Sequence, residues 1–211
     1  SEEKRAQYLS IIVRESERLT ALIENVLDFA RVERGKAAYS FRDADLEPTV
    51  VRAVEACRYR AETESMRLEL DVEPELPPGG VDERALQLAV INLVENALKY
   101  AAGTEVVRVV VARDGQVGGE DAYCVRVIDR GPGIAPEERL RIFERFYRGK
   151  SARSGQVRGS GIGLALVQHI AEEHGGEVKV AAGEDGVGSV FSLRLPVRGP
   201  GGKGAPPSSR Q

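Results

Sequence analysis

Apolar residues in the first 35 positions recur at the spacing of one helix face. The steps alternate between three and four residues, as in the seam of a coiled coil, with one polar break. The seam residues are Leu9, Ile12, Ser16, Leu19, Ile23, Val26 and Ala30. Val13 and Leu27 widen the stripe, which suits a helical bundle better than a two-stranded seam. The pattern predicts one long helix over 1–35, and it fits a helix packed on its own domain as well as a bundle or dimer helix.

Beyond residue 38 the apolar spacing changes repeatedly between the helix period and the strand period. Pro48 suits the first turn of a helix whose apolar face includes Cys57. Short strands are predicted at 39–46 (with a turn), 67–72, 106–111, 123–128, 177–180 and 189–195. Helices are predicted at 82–101 and 162–174, a short helix and its exit at 136–147, a loop at 74–80 and a turn at 114–119. Antiparallel strand pairs beside helices predict an α+β two-layer α/β sandwich and not a doubly wound sheet.

The chain divides into three predicted regions. We expect part of a helical domain over 1–38, one α+β domain over 39–197, and a disordered tail over 198–211, where glycine, proline and serine dominate. A chain of 211 residues can form one sizeable core with a small helical appendage. Because the first residue is not methionine, we expect the chain to be a piece of a longer protein.

Composition narrows the choice of partners and compartment. With 42% hydrophobic and 30% charged residues the chain reads as a soluble globular protein. The net charge of −3 gives no reason to expect nucleic-acid binding or membrane contact. Cys57 and Cys124 lie too far apart to suggest a zinc set or a disulfide framework. Because two unspaced cysteines make a reducing cytosol the simplest compartment, we expect a cytoplasmic location for this part of the protein, whether or not the full-length protein is anchored in a membrane. No uncharged apolar run is long enough to span a bilayer.

The predicted helix over 82–101 carries an unusual polar face. Asn92, Asn96 and Lys99 are spaced i, i+4 and i+7, and so share one side of the helix. Asparagine is a poor residue inside a helix, and a solvated face would ordinarily carry lysine and glutamate. An amide oxygen can bind a hard cation, and a lysine can pair with phosphate. The face therefore indicates a site, although a plain solvated face is the usual meaning of such residues.

Two glycine motifs follow. Asp129 closes an apolar strand, and Gly131 and Gly133 directly after it let the backbone approach a flat ligand; alone, this could be an ordinary turn. The segment 159–164 opens a helix, where backbone N–H groups favour phosphate. It is not a dinucleotide fingerprint, because Leu164 stands where a glycine is needed and no strand precedes it. A Walker loop ending at 151 fails because Glu144 occupies the first glycine position.

Between the two glycine motifs lies an aromatic segment, 142–149, with Phe143 expected in the core. The stretch 149–160 is basic, rich in small residues and without periodicity. We interpret it as a lid that closes over an anionic ligand.

Together, and in this order, these motifs resemble the catalytic domain of the sensor histidine kinases, which has the GHKL (Bergerat-type) ATP-binding fold. Residues 92–100 resemble the N box, 129–134 the G1 box, 143–147 the F box, 159–164 the G2 box and 186–191 the closing glycine motif. The likeness covers roughly 40–196. Residues 1–35 resemble the second helix of the family's dimerisation and phosphotransfer domain.

The resemblance implies ATP and Mg²⁺ as cofactors and a role for each matching residue. Asp129 would read the adenine amino group, and Asn96 would hold Mg²⁺. Asn92, Lys99 and Arg145 would form the catalytic set, the two cations neutralising phosphate charge. The residues implied to contact the nucleotide are Asn92, Asn96, Lys99, Tyr100, Asp129, Gly131, Gly133, Ile134, Phe146, Gly159, Gly161, Gly163 and Leu164.

One departure from the family concerns the phosphoacceptor. The family phosphorylates a histidine on its first dimerisation helix, whereas this sequence has only His169 and His174, which we interpret as structural or surface residues. The resemblance therefore implies a kinase core that binds ATP without its own acceptor, forms a homodimer through 1–35 in the full-length protein, and serves a response regulator. Anti-sigma serine kinases, ATP-driven clamps and a non-catalytic ATP-dependent interaction module remain open alternatives, as does the role of Glu95.

Overall fold

The structure is a computed structural model that describes residues 8, 39–101, 103–149 and 160–200. The chain divides into two compact units, Ser1–Ala38 and Tyr39–Gln211, and everything below concerns the second. The predicted helix over 1–35, except for the single helical residue Tyr8, lies outside the described residues, as do most of the predicted lid and the tail beyond residue 200.

A five-stranded sheet forms one layer of this unit. Its strands are β2 (Arg67–Val72), β4 (Val106–Val117), β5 (Glu120–Asp129), β6 (Glu177–Ala182) and β7 (Ser189–Pro196), in the order β2-β4-β5-β7-β6. All neighbours are antiparallel except β2 and β4, which run parallel. Alternate valines of β4 are fully buried at positions 107, 109 and 111, which places the core on one face of the sheet.

Within the described residues, three helices form the second layer. They are α1 (Leu46–Thr63), α2 (Glu83–Tyr100) and α3 (Gly163–Glu173). Helix α2 contacts both α1 and α3 and also contacts β4 and β5. Its buried face, which includes Leu86, Val90 and Leu93, leaves the Asn92–Lys99 side at the edge of the core. The predicted α+β two-layer sandwich is confirmed.

The predicted loop over 74–80 was wrong at its end. Residues Gly79–Val81 form strand β3, which pairs antiparallel with β1 (Arg42–Ala44) in a separate two-stranded sheet. A methyl group on Gly79 would lie 2.5 Å from the ring of Tyr123. The strand therefore depends on a long-range contact with β5 that no local pattern reveals.

Three further boundaries differ from the prediction. The expected helix over 136–147 is two short 3-10 turns, because the segment buries only Glu138 and Phe143 and has no continuous apolar stripe. The turn expected at 114–119 is shorter, since β4 and β5 continue around a bulge to 117 and 120. Gly199, expected in the disordered tail, lies against Gly80 instead. Over the described ranges, no helix has the length and apolarity needed to cross a membrane.

Candidate functional site

Asn92 joins two helices of the candidate site. Its side-chain nitrogen donates to the carbonyl of Leu88 at 2.9 Å, one turn earlier in α2. The amide oxygen is thereby turned outward, and a methyl group on Gly163 would lie only 2.7 Å from it. Gly163 is the first residue of α3, so the predicted N-box face and the predicted G2 glycines meet.

Asp129 is the buried acceptor of the site. It ends β5 with only 4% of its surface exposed. Its Oδ1 accepts from the backbone N–H of Gly131 at 2.8 Å and of Ser189 at 3.3 Å. Burial raises the pKa of this carboxyl, while the two N–H groups act in the opposite direction. Both of its hydrogen bonds within the described ranges use Oδ1, so Oδ2 can still accept a hydrogen bond from a ligand.

Glycines let three backbone segments approach each other around Asp129. A methyl group on Gly131 would lie 2.9 Å from the carbonyl oxygen of Tyr100. Gly133 has a φ of +73°, and a methyl group there would lie 3.1 Å from the carbonyl oxygen of Gly188. Gly188 in turn contacts the backbone of Asp129 so closely that a side chain would collide with it. The end of α2, the loop after β5 and the start of β7 therefore pack closely around Asp129, and we call the region that they border the candidate cleft.

Lys99 is a partly desolvated cation at the edge of this cleft. Burial, with Arg60 and Arg148 nearby, lowers its pKa to about 8, and Glu95 opposes the shift. Its Nζ lies 5.2 Å from the ring centroid of Tyr100, a cation–π distance. Because two arginines lie near Lys99, the protein stabilises the positive charge of this lysine only weakly. An anionic ligand would stabilise it further.

Tyr100 and Ile134 are both half-buried at the apolar side of the cleft. Burial raises the pKa of the Tyr100 hydroxyl, so this group is neutral at physiological pH. The carbonyl of Ile134 accepts from the Arg139 guanidinium at 3.2 Å, which holds the loop in place. The carbonyl of Tyr100 lies against Gly131, two residues after Asp129, so both half-buried side chains belong to segments that border the Asp129 region.

The predicted F-box and G2 segments are joined through their backbones. The N–H of Phe146 donates to the carbonyl of Gly161 at 2.9 Å, and a side chain on Gly161 would clash with Phe146. Phe146 has a φ of +61°, in the left-handed region that a bulky residue rarely adopts. Its ring is 72% exposed. Strain of this kind clusters at functional sites, so the backbone geometry supports a site here.

The other predicted residues fall in different positions. Asn96 is half-buried on the same side of α2 as Asn92, and Leu164 is half-buried in the first turn of α3. Arg145 is exposed beside Phe146. Gly159 lies outside the described residues. The contact of each predicted residue with a nucleotide stays a prediction, because the structure contains no ligand.

Sequence reasoning missed three contributors. Ser189 supplies a backbone N–H to Asp129 from a distant strand. Arg60, on α1, lies beside Lys99 and 3.7 Å from Glu95, so Glu95 faces a cation at the surface. Glu138 is buried and accepts from the Tyr147 hydroxyl at 2.9 Å, which anchors the aromatic segment. Ser189 lies inside the closing glycine motif, which was its signal although no role was assigned to it, whereas Arg60 and Glu138 carry no local signal.

The arrangement suits a nucleoside phosphate. A buried carboxylate can accept from an amino group on a base, glycines let the backbone segments around it pack closely, and the first turn of α3, which presents N–H groups, meets α2 at Asn92. The residues present thus fit the chemistry that the sequence motifs implied.

Comparison with known proteins supports this interpretation. A family model described as histidine kinase-, DNA gyrase B- and HSP90-like ATPase matches residues 81–199. A model of the His Kinase A (phospho-acceptor) domain matches residues 1–35.

Several relatives and solved structures are similar over most of the chain. The sensor-like histidine kinase SenX3 of Mycobacterium tuberculosis is 34% identical over 182 residues, which cover 86% of this chain and 43% of SenX3. The crystal structure of full-length ShkA in complex with AMPPNP has a TM-score of 0.75 at 28% identity, covering 92% of this chain and 39% of ShkA. The mycobacterial sensor histidine kinase MprB has a TM-score of 0.62 at 29% identity, covering 76% of this chain and 99% of the MprB structure.

The present chain spans less than half the length of SenX3. The match over residues 81–199 nevertheless covers more than half of the present chain and includes every described element of the cleft from α2 onward. The chain therefore belongs to the family of histidine kinase-, DNA gyrase B- and HSP90-like ATPases.

Proposed function

We propose that this chain is the ATP-binding catalytic core of a two-component sensor histidine kinase. It would position Mg-ATP for transfer of the γ-phosphoryl group to a histidine other than His169 and His174. The observation that carries the proposal is the buried Asp129 carboxylate, whose Oδ2 is available as an acceptor at the base of a glycine-lined cleft. An adenine amino group can donate to this oxygen, whereas the guanine carbonyl at the same ring position cannot.

The phosphates would extend from the base towards α2 and the start of α3. Lys99 would pair with them as a cation, and Arg145 would add charge from the exposed edge. The N–H groups at Gly161 and Gly163 would face phosphate oxygens. Phosphoryl transfer depends on positioning and electrostatic stabilisation, which is what these groups can supply.

Mg²⁺ would be held jointly by the protein and the phosphates. Within the described ranges there is no cluster of three or more histidine, cysteine or carboxylate side chains that could hold a metal alone. Mg²⁺ commonly takes one or two protein oxygens and completes its shell with water and substrate phosphates. The Asn96 amide oxygen, on the same face as Asn92, is the candidate ligand, and the bound ion would neutralise phosphate charge.

The histidines of this chain do not suit the role of acceptor. His174 is fully buried and both of its ring nitrogens are engaged. His169 lies on α3 beyond its first turn, about 9 Å along the helix from Gly163 at 1.5 Å per residue. In-line transfer requires near contact between the acceptor nitrogen and the γ-phosphorus.

The match of residues 1–35 to a phospho-acceptor domain supports a histidine kinase over a gyrase-like or HSP90-like clamp. By the same likeness, the full-length protein would form a homodimer through 1–35 and pass its phosphoryl group to a response regulator.

Phosphoryl transfer from labelled ATP tests the proposal. The chain would be incubated with ATP labelled at the γ-phosphate, alone and with an excess of a histidine-bearing dimerisation-domain fragment. We expect no acid-labile phosphohistidine on the chain alone, and labelled fragment in the mixture. The Asn96→Ala variant should abolish transfer, whereas the surface variant Lys179→Met should not.

Two outcomes would contradict the proposal. Stoichiometric label on His169 or His174 would show that the chain carries its own acceptor. Tight ATP binding with no transfer to any supplied histidine would favour a non-catalytic, ATP-dependent interaction module.

A further inference from the structure

His174 connects the ends of two helices that form the nucleotide cleft. It caps the C-terminus of α3, where its Nδ1 lies 2.7 Å from the carbonyl oxygen of Ile170. Its Nε2 lies 3.1 Å from the backbone nitrogen of Asp82. Because the Asp82 N–H can only donate, Nε2 must be the acceptor, and Nδ1 must carry the proton that it donates to Ile170. The ring is therefore neutral and fixed in one tautomer.

Asp82 is the N-cap residue of α2, directly before its first residue. Its Oδ1 accepts from the N–H groups of Arg84 and Ala85 at 3.0 Å, as an N-cap does. Its backbone N–H is satisfied by His174. The first turn of the helix that carries Asn92, Asn96 and Lys99 is thus held by a residue at the far end of α3.

The two helices meet again at Asn92 and Gly163, about 15 Å along α2 from Asp82. Gly163 begins α3 and His174 caps its other end, while Asp82 caps the start of α2 and Asn92 lies near its middle. The two contacts are thus separated along both helices and restrict how α3 can shift against α2. The His174 bond consequently helps to set the distance between the N-box face and the start of α3.

A third partner is the segment that directly follows the N-terminal unit. The N–H of Ser40 donates to Asp82 Oδ2 at 2.7 Å. The ring of Phe41 stands edge-on to the His174 ring at 5.0 Å between centroids, and that of Tyr39 does so at 6.0 Å. Tyr39 and Phe41 also stack on each other at 5.6 Å. Residues 39–41 thus contact both members of the bond that fixes α2.

We propose that His174 is a positioning residue for the nucleotide, and that it makes nucleotide affinity depend on the placement of residues 39–41. The inference rests on the proposed function, since it concerns the same cleft. A displacement of Phe41 would loosen His174, release the Asp82 N–H and let α2 move relative to Gly163. By linkage, a nucleotide bound in the cleft favours the arrangement in which residues 39–41 are packed.

Titration calorimetry with Mg-ATP on the full chain tests this, at a temperature well below unfolding. His174→Leu keeps the volume but removes the acceptor, and we expect affinity to fall about tenfold. His174→Gln retains an acceptor that can reach the Asp82 N–H, and we expect it to bind within about twofold of the wild type. Phe41→Leu, which stays apolar but loses the edge-on ring contact, should weaken binding about threefold.

Met66→Ala is the matched control. Met66 is buried and lies in the turn that connects α1 to β2, and it takes no part in the contacts of His174 given above. Its truncation should therefore lower the melting temperature without changing those contacts. We expect it to bind Mg-ATP as the wild type does.

The proposal is overturned if folded His174→Leu binds Mg-ATP like the wild type, or if His174→Gln loses as much affinity as His174→Leu. It is also overturned if Met66→Ala loses affinity for Mg-ATP in proportion to its loss of stability. Should His174→Leu not fold, wild-type affinity in Phe41→Leu would overturn it. A wild-type chain that fails to bind Mg-ATP would instead refute the proposed function itself.

Discussion

Replacing Lys99 by methionine should stabilise the nucleotide-free protein while it weakens nucleotide binding. Burial and the neighbouring Arg60 and Arg148 lower the pKa of Lys99 from 10.5 to about 8. At pH 7 the side chain is charged in both the folded and the unfolded protein, so the folded state carries the cost of that shift. Methionine has a similar length and no charge to desolvate.

The size of the effect follows from the shift. A pKa lowered from 10.5 to about 8 corresponds to about 3 kcal/mol of unfavourable free energy in the folded state, and because Lys99 is only partly buried, solvent screening reduces this to about 2 kcal/mol. Loss of the Lys99–Tyr100 cation–π contact offsets about 1 kcal/mol of this gain. We expect Lys99→Met to raise the free energy of unfolding by about 1 kcal/mol, which raises the melting temperature by about 3 °C in a domain of this size.

Thermal unfolding at pH 7, followed by circular dichroism, measures this directly. The control is Lys179→Met on β6, where the lysine is exposed and pairs with Glu177, and no stabilisation is expected. The wild type should also gain stability as the pH rises from about 8 towards 10.5, because the folded protein releases the Lys99 proton first, and Lys99→Met should lack that gain. If Lys99→Met had unchanged or lower stability, other groups of the protein would already stabilise the Lys99 charge. The argument that this charge favours an anionic ligand would then fail.

Further predictions concern the other members of the cleft. Asp129→Ala should lose the preference for ATP over GTP, which competition binding measures; an unchanged preference would remove Asp129 from the adenine site. Asn96→Ala should weaken nucleotide binding far more in Mg²⁺ than in EDTA, and equal losses in both buffers would exclude Asn96 as a metal ligand. Burial lowers the pKa of His174 below 6.5, against the opposing effects of Asp82 and Glu173, so the folded protein should lose stability as the pH falls below about 6.5. Denaturant unfolding at pH 7 and pH 5 should show this loss in the wild type and a smaller one in His174→Gln.

The sequence predicts site residues where local pattern and chemistry coincide. The face of Asn92, Asn96 and Lys99 could be predicted because helix periodicity places these residues together. Asp129 could be assigned because it ends an apolar strand directly before two glycines. In both cases the residues that define the feature lie within eight positions of each other.

Features built from distant residues could not be predicted in this way. His174 and Asp82 are 92 positions apart, and nothing around either residue indicates that a buried imidazole accepts from a helix N-terminus. Strand β3 was missed because its glycines signal a loop, whereas Tyr123 of β5 packs where a side chain on Gly79 would be. Arg60 was missed because its position beside Lys99 depends on how α1 packs on α2.

Parallel titrations of the chain with Mg-ATP and Mg-GTP test the central claim most directly. The claim is that Asp129 and the glycines around it form an adenine site, with Lys99 facing the phosphates. We predict one ATP bound per chain at micromolar-class affinity, a range typical of working substrates, and GTP at least about tenfold weaker. Equal affinity for the two nucleotides, or no ATP binding at millimolar concentration, would contradict the account.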